Sequence, residues 1–209
     1  MRYGPAIILT SALALAPCAA SAAAKALLPD GDVVYFHLSR IEYDISGDGP
    51  AAVSYKVFLC GFNETGNTLC DDAPLGGSAR HEIQPGHKID FKYGEVLFIP
   101  GRRLNADAAR LKAKINNPEE VNRVEYYLMF HVTAEYYYGD QHKIVRLIIN
   151  SDSDNGMPEY NESISLKEIA ASRREHRPYL KKLIFDWPDD DIAKTRKYPI
   201  VSLLVGTSS

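Results

Sequence analysis

Of the side chains that could do chemistry, the cysteines have the most definite use. The chain holds three. Cys18 falls inside an apolar leader, which leaves Cys60 and Cys70 as an even pair around the loop GFNETGNTL. In an oxidising compartment such a pair forms a disulfide. Redox-active pairs favour C-x-x-C spacing, so the expected role here is a structural staple. Closing a loop of this length removes unfolded-chain entropy worth roughly 3 kcal/mol.

The six histidines offer metal or acid–base chemistry only where other groups join them. His81-Glu82 opens an H-E-x-x-H zinc pattern, but Pro85 stands where the second histidine belongs. Proline there would also break the helix that aligns both rings. His81, His87 and Asp90 could meet only across strands, and their scatter argues against a metal. The loop Asn150-Ser-Asp152-Ser-Asp154-Asn-Gly156 alternates oxygen ligands as calcium requires. Its glycine and Glu162 each fall one place late for an EF-hand, and Asn155-Gly156 is a plain turn signal. No G-x-S-x-G, S-x-x-K, Walker loop or G-x-G-x-x-G is present. Distant triads or paired carboxylates leave no mark in a sequence. The residues therefore nominate no catalytic group, no metal ligand and no cofactor.

Aromatic side chains are the better candidates for binding. Val124 to Tyr138 alternates Val124, Tyr126, Leu128, Phe130, Val132, Ala134 and Tyr136 on one face. The other face carries Tyr127, Met129, His131 and Tyr137, and of these Tyr127, His131 and Tyr137 are the candidate partner-binding residues. The competing expectation is that C-terminal helices lie over this face. The basic run Arg173-Arg-Glu-His-Arg177, with Lys181-Lys182, could meet anionic headgroups or a polyanion, although Asp189 to Asp191 partly cancel it. Its ordinary reading is a solvated helix face.

The elements that must position these groups are mostly strands. Val33 to Ile45 is β-branched and aromatic, and its apolar positions change parity near Ser39-Arg40, which predicts a β-bulge. Val53, Tyr55, Val57 and Leu59 alternate with Ser54, Lys56 and Phe58 in a half-buried strand. Lys88 to Tyr93 and Glu95 to Ile99 are further strand candidates. Asn105 is expected to cap a short helix over Ala106 to Ile115, which Pro118 ends. Val124 to Tyr138 turns at Gly139-Asp140 and returns over Lys143 to Ile149 as a hairpin. Ser165-Leu-Lys-Glu168 is a capping box for a helix to about Glu175. Leu180, Leu183, Ile184 and Trp187 suggest a second helix after Pro178. Tyr198 to Val205 reads as a last strand, at a sheet edge because of Pro199.

This order predicts a mainly β protein: an antiparallel β-sandwich, immunoglobulin-like or similar, with short C-terminal helices. One β-rich domain is expected over residues 30–209. Residues 1–22 have the pattern of a secretory signal peptide: Arg2, the apolar run Ala6 to Ala16, then small residues for cleavage after Ala22 or Ala24. The run is too short for the ~20 residues of a membrane-spanning helix. Pro17 disfavours lipid anchoring at Cys18. Alanine richness fits a bacterial leader, in which case the sequons at Asn63 and Asn161 are only loop composition.

With 24 Lys+Arg against 27 Asp+Glu, the net charge of −3 gives no basic excess for nucleic acid. An apolar content of 45% is enough to build a core. The expected function is that of an exported, non-catalytic β-domain, periplasmic or secreted. It would bind a protein or cell-envelope polymer in an envelope accessory, assembly or inhibitor/immunity role. An envelope hydrolase with a site hidden from sequence, or a carbohydrate-binding module, is the alternative.

Overall fold

The computed structural model describes residues 26–62, 68–92, 94–115, 124–138, 140–148, 163–185 and 199–208. In chain order the strands begin with β1 (Val33–Glu42), β2 (Ala51–Phe62) and the short β3 (Thr68–Cys70), β4 (Gly76–Gly77), β5 (His81–Ile83) and β6 (Lys88–Asp90). β7 (Val96–Pro100) runs into helix α1 (Gly101–Ala113). β8 (Glu125–Tyr138) and β9 (Gln141–Ile148) form the hairpin. β10 (Ile164–Ser165) leads into helix α2 (Leu166–Arg174), followed by β11 (Leu180–Phe185) and β12 (Ile200–Ser208).

All pairings are antiparallel, and they build two sheets. In the first, β11, β12 and β1 lie side by side, and β6 and β7 share the far edge of β1. In the second, β8 pairs with β2 along its length. β3, β4 and β5 take successive stretches of β2's other edge, while β9 and β10 pair with β8. The alternation read in the sequence decides which side chains lie between the sheets. Val34, Phe36 and Leu38 of β1 are buried, as are Val53, Tyr55, Val57 and Leu59 of β2, and Leu128, Phe130, Val132 and Ala134 of β8. The Phe36 and Phe130 rings meet edge-on across the sandwich at 5.6 Å. The register of β1 against β12 slips between Leu38 and Arg40, so the extra residue keeps both Leu38 and Ile41 in the core. The fold is mainly β, an antiparallel sandwich with two short helices among the described residues.

Three local expectations are corrected. The second C-terminal helix is instead β11: Leu183 and Phe185 point inward while Leu180, Lys182 and Ile184 are exposed. Period 2 overrides the helical spacing because β12 offers this segment a ladder of backbone hydrogen bonds. Thus α2 is the one helix of the C-terminal part among the described residues; Trp187 lies outside them. β12 is central, between β1 and β11, because Pro199 precedes the strand and costs the ladder no donor. Asn105 does not cap α1, which starts at Gly101 with Pro100 at its N-cap. The Gly101 amide is satisfied by the Asp32 carbonyl at 2.7 Å. Asn105 instead pins the N-terminal lead-in, accepting from the Leu27 amide at 2.9 Å and donating to the Leu28 carbonyl at 2.8 Å.

Ser165 does cap α2, with its Oγ accepting from the Lys167 amide at 3.2 Å. Leu104, Ala108 and Leu111 of α1 and Leu166 and Ile169 of α2 join the same buried cluster as the strands. No described helix is long and apolar enough to cross a membrane. The leader and the 150–156 loop lie outside the described residues.

Candidate functional site

Cys60 and Cys70 face each other across β2 and β3 and are joined as a disulfide. The bridge sits on the outer side of the second sheet, where Cys60 Sγ lies 4.0 Å from Met129 Sδ. The next residue, Asp71, is nearly buried and ion-paired with Arg110 of α1. The Arg110 hydrogen bond holds the Asp71 carboxyl below its usual range, against an opposing effect of burial. Disulfide and ion pair together tie the end of β2 to the helix.

Tyr127, His131 and Tyr137 fall on the same outer face of β8. They form a row and do not converge, since ten residues of strand span about 34 Å. Each of the three meets a neighbouring ring. The Tyr127 ring meets Phe62 edge-on at 5.0 Å and 83°, and His131 leans on Phe58 at 4.4 Å and 41°. Tyr127 donates its hydroxyl to Glu125 Oε2 at 2.7 Å, which pushes its pKa up to about 12 and draws that of Glu125 down. Tyr137 is the exposed member, 5.3 Å from the His142 ring. The apolar residues of α2, Leu166 and Ile169, point into the interior cluster and do not lie over this face. The half-burial of Tyr127 and His131 comes from lateral ring contacts with Phe62 and Phe58 of β2.

The histidine–carboxylate set does not assemble. His81 Nε2 lies 3.2 Å from Glu95 Oε2, His87 Nδ1 contacts the Pro85 carbonyl, and Asp90 pairs with Arg40 and Lys88. Among the described residues no three His, Cys, Asp or Glu side chains are grouped as metal ligands.

A second surface has no counterpart in the sequence reading. The register across the first sheet aligns Leu180, Gly206, Tyr35 and Phe98 on one row of its outer face. Lys182, Leu204, His37 and Val96 form the next. Leu180 is 64% exposed, Phe98 61% and Ile184 49%, so three of the most exposed large apolar side chains share this face. A Cβ on Gly206 would run into the Tyr35 ring, and its absence lets that ring lie flat across β12. The far end of the face is polar, with Arg40 and Asp90 paired at 2.8 Å. The alternation of Leu180, Lys182 and Ile184 was the signal for it. The competing helical spacing of Leu180, Leu183 and Ile184 concealed it.

The β11 edge of that sheet is protected. β11 turns Lys181 inward and holds Lys182 outward, two devices that discourage addition of a further strand.

No protein-family model matches the chain, and no curated protein matches it. One solved structure, described as "CC2D1B coordinates ESRCT-III activity during the mitotic reformation of the nuclear envelope", is similar at a TM-score of 0.33 and 9% identity. The match covers 87% of this chain and 57% of that one, so the chain spans little more than half of its length. A TM-score this low carries no argument about fold or partner.

Proposed function

We propose that the chain is an exported, non-catalytic β-sandwich that binds another protein through the outer face of its first sheet. Its place is the periplasm or the secreted fraction, in an envelope accessory, assembly or inhibitor/immunity role. The observation that carries this reading is the row of Leu180, Tyr35 and Phe98 aligned across β11, β12, β1 and β7: Leu180 and Phe98 are exposed, and the half-buried Tyr35 ring lies between them over Gly206. Contiguous exposed apolar area on a folded domain marks an interaction surface. An aromatic ring at its centre, exposed apolar side chains to either side and a charged margin suit a protein partner. A sugar platform needs flat aromatic faces, whereas Tyr127 and His131 meet their neighbours at 83° and 41°. A hydrolase reading would have to rest on a histidine–carboxylate contact such as His81–Glu95, at 3.2 Å, since Asp32, Asp71 and Glu125 are all held in ion pairs.

The test is the double variant Phe98→Glu/Leu180→Glu, compared with wild type by urea unfolding and by recovery of a cross-linked complex from the exporting cell. Both side chains are exposed, so the unfolding free energy should change by no more than about 0.5 kcal/mol per site. The complex should be lost. A complex of unchanged yield would remove this face from the function.

A further inference from the structure

We propose that the cleft between the N-terminal lead-in and α2 binds an anionic amphiphile, an acyl chain ending in a carboxylate. This site is separate from the sheet face above. The basic run that reads in the sequence as a solvated helix face supplies its wall: Arg173, Arg174 and His176 line an open cleft of about 880 Å³. That size lies within the roughly 300–1,000 Å³ of small-molecule sites. The floor is apolar, formed by Leu27, Pro29, Val124, Tyr126, Leu166 and Ala170.

Charge decides the class of ligand. Asp32 and Glu125 are the carboxylates among the described lining residues, and each is already matched. Asp32 takes a two-pronged pair from Arg173, Nε at 2.8 Å and a terminal nitrogen at 2.9 Å. Glu125 takes Lys167 Nζ at 3.0 Å. Arg174 and His176 have no carboxylate partner among the described residues. Arg174 uses its Nε on the Ala170 carbonyl at 3.3 Å, which leaves the terminal fork of its guanidinium to meet a ligand. A planar fork suits a carboxylate better than a point charge would. Beneath it, an alkyl chain on the floor gains affinity with every methylene removed from water. A neutral amphiphile would satisfy the floor alone, and a small inorganic anion the wall alone.

The same chemistry could come from a free acyl carboxylate or from the anionic face of a bilayer, and the experiment separates them. The processed chain is titrated calorimetrically with decanoate below its micelle concentration, with decanol, with inorganic phosphate, and with phosphatidylglycerol vesicles. Decanoate should bind saturably at one site per chain, with decanol weaker by about tenfold or more and phosphate silent. Arg174→Gln should weaken decanoate about tenfold, while Arg80→Gln, exposed just before β5 and outside the cleft lining, should leave it unchanged. Ala170→Phe should fill the floor and abolish binding. Arg174→Gln changes only an exposed side chain and keeps the test decisive if the phenylalanine variant does not fold. Four results would overturn the proposal: no saturable decanoate binding, decanol binding equally well, equal weakening by Arg80→Gln, or binding to vesicles alone.

Discussion

At the residue scale, the chain is organised by a few buried rings and by carboxylates held in their charged form. Phe130 is fully buried and touches Phe36 from the facing sheet, with Phe185 of β11 at 6.2 Å. Phe130→Ala should cost about 3–5 kcal/mol, read from urea unfolding, because the walls cannot close on the space left. An unchanged midpoint would refute this core. Asp71 and Glu125 both have folded pKa values below their unfolded values of 3.8 and 4.5. Their stabilisation is complete above those values and fades as pH falls through the folded ones. Asp71→Asn should therefore flatten the acid limb of a stability–pH curve and leave its shape above pH ~6 unchanged. Alternation made Phe130 legible in the sequence. The Asp71–Arg110 pair was not, because its partners come together only when α1 packs against the end of β2.

At the scale of elements, patterns of period 2 carried their meaning into the structure, and short apolar clusters did not. β2 and β8 alternate over many residues, which leaves one phase that can face a core. The parity change in β1 gave the bulge for the same reason. Leu180 to Phe185 is too short for its own spacing to choose between helix and strand, and the choice falls to the ladder that β12 offers. The central position of β12 is a long-range fact with no local signal. It makes a strong prediction: deleting residues 200–208 removes the partner of both β1 and β11, so cooperative urea unfolding should disappear. An edge strand would have been lost with a smaller penalty. The disulfide acts at one element's end. Replacing Cys60 and Cys70 with serine should lower stability by about 2–4 kcal/mol or less and preserve the far-ultraviolet spectrum. Free thiols in the oxidised, folded protein would refute the bridge.

For the whole molecule, composition and strand order were enough to place it among antiparallel sandwiches, whereas its surfaces had to await the register between strands. Tyr127, His131 and Tyr137 were visible as one face of one strand. The row of Leu180, Tyr35 and Phe98 draws its members from separate strands, and no sequence window contains it. Export is argued from the leader alone, and intact mass of protein from the secretory side should show loss of about 22–24 residues. The central claim is that this chain works by holding a protein partner on the outer face of its first sheet. Its most direct test is photo-cross-linking in the exporting cell, with a photoreactive residue placed in turn at positions 98, 180 and 137. The account predicts one partner of defined mass captured from both 98 and 180, and lost when the other position is changed to glutamate. Capture from 137 alone, or from none of the three, would contradict it.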